Sequence, residues 1–484
     1  MIKAVLILNV KEFEDPAKMF RPSPFWSWND VLEPEELRWQ VREFAAKGFG
    51  GYFMHARAGL ATPYLSKEWM SCIRACLEEG KKLNTESWLY DEDKWPSGFA
   101  GGKVPAKGDE YRGKYVEIKK ICPKELLNIS SDPTLLGIFQ IQLSSPTTLK
   151  HFKRVSQLRK LKSHKQLFAF REKITEKTNW LNGESYADLL SPKAVDEFLR
   201  VTHDAYAKEL GAEFGEYMPG IFTDEPTFSR LKKVLVIPWT NGMAEYFQKI
   251  NGYSLLDKLP LLFYDGEGSH RVRYDFYKTL TLRFVEAWTK RYSKKCTKHG
   301  LIMTGHYLAE DTLESQIKYA GAAMPHYEFM QLPGIDHLGR NIRDTLTLKQ
   351  CSSVAHQFGQ TRILSELFGG SGHSTSFEDL KWIADFHLAL GITFFCPHLT
   401  LYTMKGDAKR DWPPTISYHQ PYWKNFKLAN DYFARGGYLC SQGRFVADIL
   451  VLHTVGSGWA TLSAGMQDKD SPVWKYYNGL VNLQ

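Results

Sequence analysis

Two periods of apolar and polar residues alternate along most of this chain. Short apolar runs are separated by longer segments in which apolar residues recur every three or four positions. That is the pattern of strands joined by helical crossovers in a parallel sheet. "SPFWSWND" predicts a first strand, and Pro34-Glu35-Glu36 opens a helix with Leu37, Val41 and Phe44 on one face. "GGYFMHAR", from Gly50 to Arg57, predicts a second strand. Ser66 then caps the helix of "KEWMSCIRACLEEGKKL", with Glu68 in its first turn and Lys81 and Lys82 in its last. "ESWLYDED" predicts a third strand.

The alternation breaks between Tyr111 and Trp180. There "KYVEIKKI", "LLGIFQIQL" and "KQLFAFREKI" read as antiparallel strands with polar linkers, a β-rich insertion after the third strand. It resumes with a helix from Ser191 to Leu210, then "PGIFTDEPTF", a long helix from Tyr274 to His299, "LIMTGHYLAED", "YEFMQLPGIDHLGR", "TRILSELFGGSG" and "ITFFCPHLTLY". Eight β/α units imply an α/β fold of the (β/α)8 TIM-barrel type, whose active site is built by the loops after the strands. The expected organisation is strands one to three in residues 1–110, the insertion in 111–180 and strands four to eight in 181–440. Residues 441–484, beginning at "FVADILVLHTVGSGWA", read as the start of a Rossmann-like α/β domain that the chain truncates.

Composition narrows the class. A chain of 484 residues with 43% hydrophobic content carries a large core and is not disordered. The net charge of +8 is concentrated between Lys150 and Lys177, where stacking aromatics are sparse, so the excess reads as a solvated face and not as a nucleic-acid surface. Seven scattered cysteines give neither a disulfide framework nor a zinc signature. "MIKAVLILNV" is too short for a membrane span and lacks a cleavage site, so a strand or leader extension on a cytoplasmic protein without a membrane partner is expected.

The strand ends carry the chemistry. His55, Arg57, Asp91, Asp93, Asp224, Glu225, His306, Asp336, His337, Glu366 and His398 all fall at or just past them, converging on one mouth. Glu225 in "IFTDEPTF" and Glu366 in "RILSELFGG" end the fourth and seventh strands, across the barrel from each other. A facing carboxylate pair is what glycosidic cleavage needs, one group protonating the departing oxygen and the other activating water or attacking the anomeric carbon. Trp26, Trp28, Trp95, Tyr307 and Phe368 offer flat faces for a pyranose. "HExxH", a P-loop and "GxSxG" are absent, so zinc hydrolysis, nucleotide binding and a serine nucleophile have no local support. The alternative from another class is a barrel that binds carbohydrate without cleaving it.

"PFWSWND", "GGYFMHARAGLATPYLSKEWM", "WLYDEDKWPSGFAGG", "FTDEP", "PGIDHLGR" and "SELFGG" together resemble the barrel of the glycoside hydrolases grouped with the family 106 α-L-rhamnosidases. The likeness runs from Pro24 to Trp459 and reads as strongest in the first hundred residues, within a divergent branch. It implies a glycosidase releasing a terminal deoxy sugar such as α-L-rhamnose from oligo- or polysaccharide. In that reading Glu225 is the general acid and Glu366 the base or nucleophile, with Asp91, Asp93, His55, Arg57 and His306 around the sugar. The resemblance also implies an association with inversion and with calcium, for which Asp91 and Asp93 are the candidate oxygen ligands; no cofactor is required by the sequence.

Overall fold

Phe53 shows how the fold is put together. It sits inside the barrel with Phe222 at 5.2 Å, Trp88 at 5.3 Å, Phe25 at 6.1 Å and Phe394 at 6.3 Å between ring centroids. These rings come from strands far apart in sequence, and packing them requires the strands to surround one axis. The protein is seen as a computed structural model that describes residues 8–464 except 123–124, 126–128, 130, 157–165, 230–235, 341 and 343.

Fourteen strands are found among the described residues: β1 (Phe25–Trp28), β2 (Gly51–Ala56), β3 (Glu86–Tyr90), β4 (Lys114–Ile121), β5 (Leu135–Ser145), β6 (Thr148–Arg154), β7 (Leu167–Ile174), β8 (Gly220–Asp224), β9 (Val236–Trp239), β10 (Ile302–His306), β11 (Gly334–Asp336), β12 (Leu364–Leu367), β13 (Phe394–Pro397) and β14 (Thr400–Leu401). Parallel pairing gives the orders β10-β8-β3-β2-β1-β14 and β11-β12-β13. The Leu332 amide donates to the Met303 carbonyl at 3.2 Å, which brings the approach to β11 beside β10, and β14 follows directly on β13. The neighbour order is therefore cyclic and TIM-barrel-like.

Helices cover the outside where the apolar period placed them. Pro34–Ala46 buries Leu37, Val41 and Phe44, and Lys67–Leu83 begins at Ser66, whose hydroxyl accepts the Trp69 amide at 3.2 Å. The run from Ser269 to His299 is continuous but passes through a π-turn at Val285–Thr289, and the Ser191–Leu210 segment breaks at Thr202.

A five-stranded antiparallel sheet, order β6-β5-β7-β4-β9, stands beside the parallel strands. Four of its strands come from the segment after β3. The fifth, β9, comes from the loop after β8 and pairs with β4, so two separate loops build this sheet. Buried Lys114 reaches to 3.8 Å from Asp188, and the Asp188 carboxylate accepts the Thr240 hydroxyl at 2.6 Å, tying sheet to barrel.

Two expectations concern the chain ends. Residues 1–7 of the expected strand or leader extension lie outside the described residues, and Val10–Glu14 is a helix capped by Asn9. The segment expected to open a Rossmann-like domain forms no strand among the described residues. Val446, Ile449, Leu450 and Leu452 are exposed outside any helix or strand, with no ladder partner among the described residues, and Val455–Thr461 is a helix. An apolar run becomes a strand only where a neighbouring strand takes up its backbone donors and acceptors. Residues 465–484, the remainder of that expectation, lie outside the described residues, as does 157–165 of the basic stretch.

Candidate active site

Side chains on a strand alternate sides, so a residue two positions beyond an interior ring again points inward. Two past Phe53 is His55, two past Phe222 is Asp224, and four past Phe394 is His398. The register sets them at one level: His306 lies opposite Asp224 on β8, and Asp336 opposite Glu366 on β12.

His306 is the hub. Its Nε2 is 3.0 Å from Glu366 Oε1 and 3.5 Å from Asp224 Oδ1, and Glu366 Oε2 is 3.9 Å from His398 Nε2. Glu225 and Asp336 close the group, with ligating atoms of Glu225, His306 and Asp336 all within 4.8 Å of one another. Four carboxyl groups thus share one imidazole. Strict alternation would send Glu225 outward, being next to the inward Asp224. Its φ of +49°, in the left-handed region that non-glycine residues seldom adopt, turns the chain at that residue.

The electrostatics follow from burial and crowding. Burial alone would lower the His306 imidazole, but the charges of Glu366, Asp336 and Asp224 hold it well above its ordinary range. Burial, then repulsion from Glu366, pushes Asp224 up to about 6, opposed by His306 and by the Tyr90 hydroxyl, which donates to Asp224 Oδ2 at 2.7 Å. The same two causes raise Asp336 well above the usual carboxylate range, with Glu225 and Glu310 adding to the repulsion. Asp336 Oδ1 is buried with no hydrogen-bond partner in the protein.

Around this group stands a layer that the sequence indicated only in part. His55 stacks on Phe25 at 4.2 Å with the two ring planes nearly parallel, and its Nε2 is 3.2 Å from Arg57 Nη1. Arg57 is held bidentately by Asp411, Nε and Nη2 each donating to a carboxylate oxygen at 2.8 Å. Sequence reasoning missed Asp411, which lies in the irregular loop after β14. It also missed Glu310, whose Oε1 accepts from the Tyr307 amide and the Tyr327 hydroxyl at 3.0 and 2.6 Å and whose Oε2 accepts the Asp336 amide at 3.1 Å. Burial raises Glu310 to about 7. "SELFGG" owes its glycines to close approach: a Cβ on Gly369 would lie 2.3 Å from His398 Nδ1.

Other predicted site residues are not brought to the hub. Asp91 faces the helices, its Oδ2 accepting the Tyr292 hydroxyl at 3.0 Å and its Oδ1 the Ser97 hydroxyl at 2.5 Å. Glu92, passed over between its acidic neighbours, accepts five backbone amides, from Asp93, Gly98, Phe99, Ala100 and Gly101, and so folds the "KWPSGFAGG" loop around itself. Tyr307 is fully buried against His326 with its hydroxyl bonded to Thr289, and His337 is buried beside Phe386 and His387. Each is one residue past an inward group and therefore faces the helices. Trp26 and Trp28 are likewise core, packed on Phe44, Tyr52 and Trp69, and Phe368 packs on Phe433. Asp93 lines a neighbouring cleft, and Trp95 packs 5.4 Å from Trp180.

Calcium takes six to eight oxygen ligands. Asp91 and Asp93 do not converge on a common point: Asp91 is engaged by Ser97 and Tyr292, while Asp93 accepts the Asn182 amide at 2.9 Å. Both clusters of three potential ligands among the described residues include the His306 nitrogen, a poor partner for a hard cation. The donor set does not fit calcium, and no step below runs through a metal.

A TIM-barrel-like fold whose mouth gathers carboxyl groups around one imidazole is the arrangement of a glycosidase. The chain belongs to glycoside hydrolase family 106, described as alpha-L-rhamnosidase, whose match covers residues 182–479. The match thus falls on the half beyond the insertion, not on the first hundred residues. A protein from Formosa agariphila, provisionally named a beta-glucuronidase, is 27% identical over 282 residues, covering 54% of this chain and 22% of that protein. The solved rhamnosidase from Novosphingobium sp. PP1Y superposes with a TM-score of 0.62 at 14% identity, over 90% of this chain and 60% of that one. This chain therefore spans about a fifth of the curated relative's length.

Proposed function

We propose that the protein hydrolyses a terminal sugar, α-L-rhamnose or a similar deoxy sugar, from an oligo- or polysaccharide, with Glu225 as proton donor and Glu366 as base. The observation that carries this reading is the convergence of Asp224, Glu225, Asp336 and Glu366 on His306 at the barrel mouth. In the inverting course that the family resemblance implies, Glu366 takes a proton from a water molecule as the water oxygen bonds to the anomeric carbon. The glycosidic C–O bond breaks, and the departing oxygen takes the proton of Glu225. His306 is the counter-charge that holds Glu366 in place, and Tyr90 and Arg57 do the same for Asp224 and the floor beside it. The sugar name rests on the family description, and the activity of the longer relatives supports it only by analogy.

The test is a leaving-group series of rhamnosides. Glu225→Gln should slow poor leaving groups by about 100-fold or more, and activated aryl rhamnosides far less, because those depart with little protonation. Glu366→Gln should disable both. Equal and mild losses in both variants on both substrate types would remove the pair as catalysts and leave a carbohydrate-binding barrel.

A further inference from the structure

Beside the mouth lies a cleft of about 240 Å³, lined by Arg57, Gly59, Thr62, Asp93, Lys94 and Asn182 among others. Resting on the proposed glycosidase reading, we infer that this cleft is a subsite for the sugar ring on the leaving-group side of the scissile bond, with Trp180, which adjoins the lining residues Lys94 and Asn182 at its edge, as the stacking ring. A second tryptophan, Trp412, then lies against the ring at the reacting centre.

Trp180 is 38% exposed, yet its one polar atom is turned inward: the indole Nε1 donates to the Trp95 carbonyl at 2.9 Å. The rest of its side chain is apolar ring. Lys94 Nζ lies 5.7 Å from that ring and 4.0 Å from Asp93 Oδ2, and Asn182 Nδ2 donates to Asp93 Oδ2 and to the Gly101 carbonyl. A flat apolar ring beside a paired ammonium, carboxylate and amide matches a pyranose, whose faces carry C–H groups and whose edge carries hydroxyls. The local charges are paired, Arg57 with Asp411 and Lys94 near Asp93, so the ring expected is a neutral one.

Trp412 is 50% exposed with φ at +42°, left-handed for a bulky residue. The conformation is held from both sides. Asp411, next to it, grips Arg57, while its indole rests so closely on Gly370, in the loop after Glu366, that a Cβ there would come within 3.1 Å of it. Its ring centroid is 6.2 Å from that of His398, itself 3.9 Å from Glu366. Arg57 lines the cleft and is bonded to the loop that carries Trp412, so it joins the cleft to the reacting centre.

The test compares α-L-rhamnosyl fluoride, which has no ring beyond the bond to be broken, with two rhamnosyl-glucose disaccharides, 1→2 and 1→6 linked. Trp180→Ala should lower the ratio of disaccharide to fluoride kcat/KM by about tenfold, with Trp180→Phe restoring most of it. Trp412→Ala should depress kcat/KM on all three. An unchanged ratio in a Trp180→Ala protein that melts like the wild type would overturn the subsite. So would wild-type cleavage of the fluoride but of neither disaccharide. Wild-type protein inactive on all three would overturn the glycosidase reading, and the subsite with it.

Discussion

Replacing Asp411 by Ala should destabilise the protein by about 3 kcal/mol, and the reason lies in Arg57. That guanidinium is only 6% exposed, and its charge is balanced by two short bonds to one carboxylate. Removing the partner of a buried charge costs roughly 3–5 kcal/mol, because the remaining ion has lost water and gained nothing in return. The Asp411 side chain keeps 22% of its exposure, so water can enter once it is gone, and the lower end of that range applies. Urea unfolding of the wild type, Asp411→Ala, Arg57→Met and the double variant at pH 7 isolates the pair. The double variant should recover most of the loss, since no buried charge is left behind. A loss below about 0.5 kcal/mol for Asp411→Ala, the scale of an exposed ion pair, would refute the reasoning. So would a double variant as unstable as the two single changes added together.

Glu92→Gln should cost about 3 kcal/mol or more in urea unfolding, because either end of the new amide must face at least two backbone donors that now bond to a carboxylate oxygen. Amides 98–101 should lose protection from hydrogen exchange in the same variant. Asp91, pushed by burial up to about 7 against the bonds from Ser97 and Tyr292, should make stability pH-dependent. Its native state holds a proton that the unfolded chain releases near pH 4, so this contribution is full below about 4 and is lost as pH rises through about 7, roughly 4 kcal/mol in all. Unfolding measured at pH 5 and pH 8 should show Asp91→Asn flattening that slope, and an unaltered slope would show that other groups set it.

The level of each functional residue was legible in the sequence, but its direction was not. Apolar runs announce where a strand ends, which brought His55, Asp224, His306, Asp336, Glu366 and His398 to the right height. Whether a residue faces the axis or the helices turns on a parity of one position, and a one-residue error reverses every assignment on that strand. Asp91, Tyr307 and His337 each stand one residue past an inward group, so they were read as site residues and are found among helices. Trp26 and Trp28 fail for the same reason, since Phe25 holds the inward phase of β1. Parity becomes readable only when an interior ring such as Phe53 or Phe222 is known to be inside. Asp411, Trp412 and Trp180 carried no signal of this kind. They sit in loops and a short turn, and their roles depend on meeting residues of other segments, as Asp411 meets Arg57 354 residues off.

Parity also frames the chemistry, because Glu225 is the residue that breaks it. Four carboxyl groups about one imidazolium would carry three net negative charges if all were ionised, in a site with little water. Such crowding favours the protonated forms, and it shows in Asp336, raised well above its ordinary range, and in Asp224, pushed up to about 6. The proton belongs to the group of acids, and the question for catalysis is which member can hand it to a substrate. Asp224 and Glu366 are buried and bonded to Tyr90 and His306, whereas Glu225 and Asp336 are the partly exposed pair. Of those two, Asp336 is held through its own amide by Glu310, and Glu225 lies in a strained backbone that turns it off the line of β8. On the proposed reading, this strained and partly exposed residue is the one that gives its proton to a departing oxygen. In this arrangement the cost of crowding the acids and the ability to donate a proton have the same physical origin.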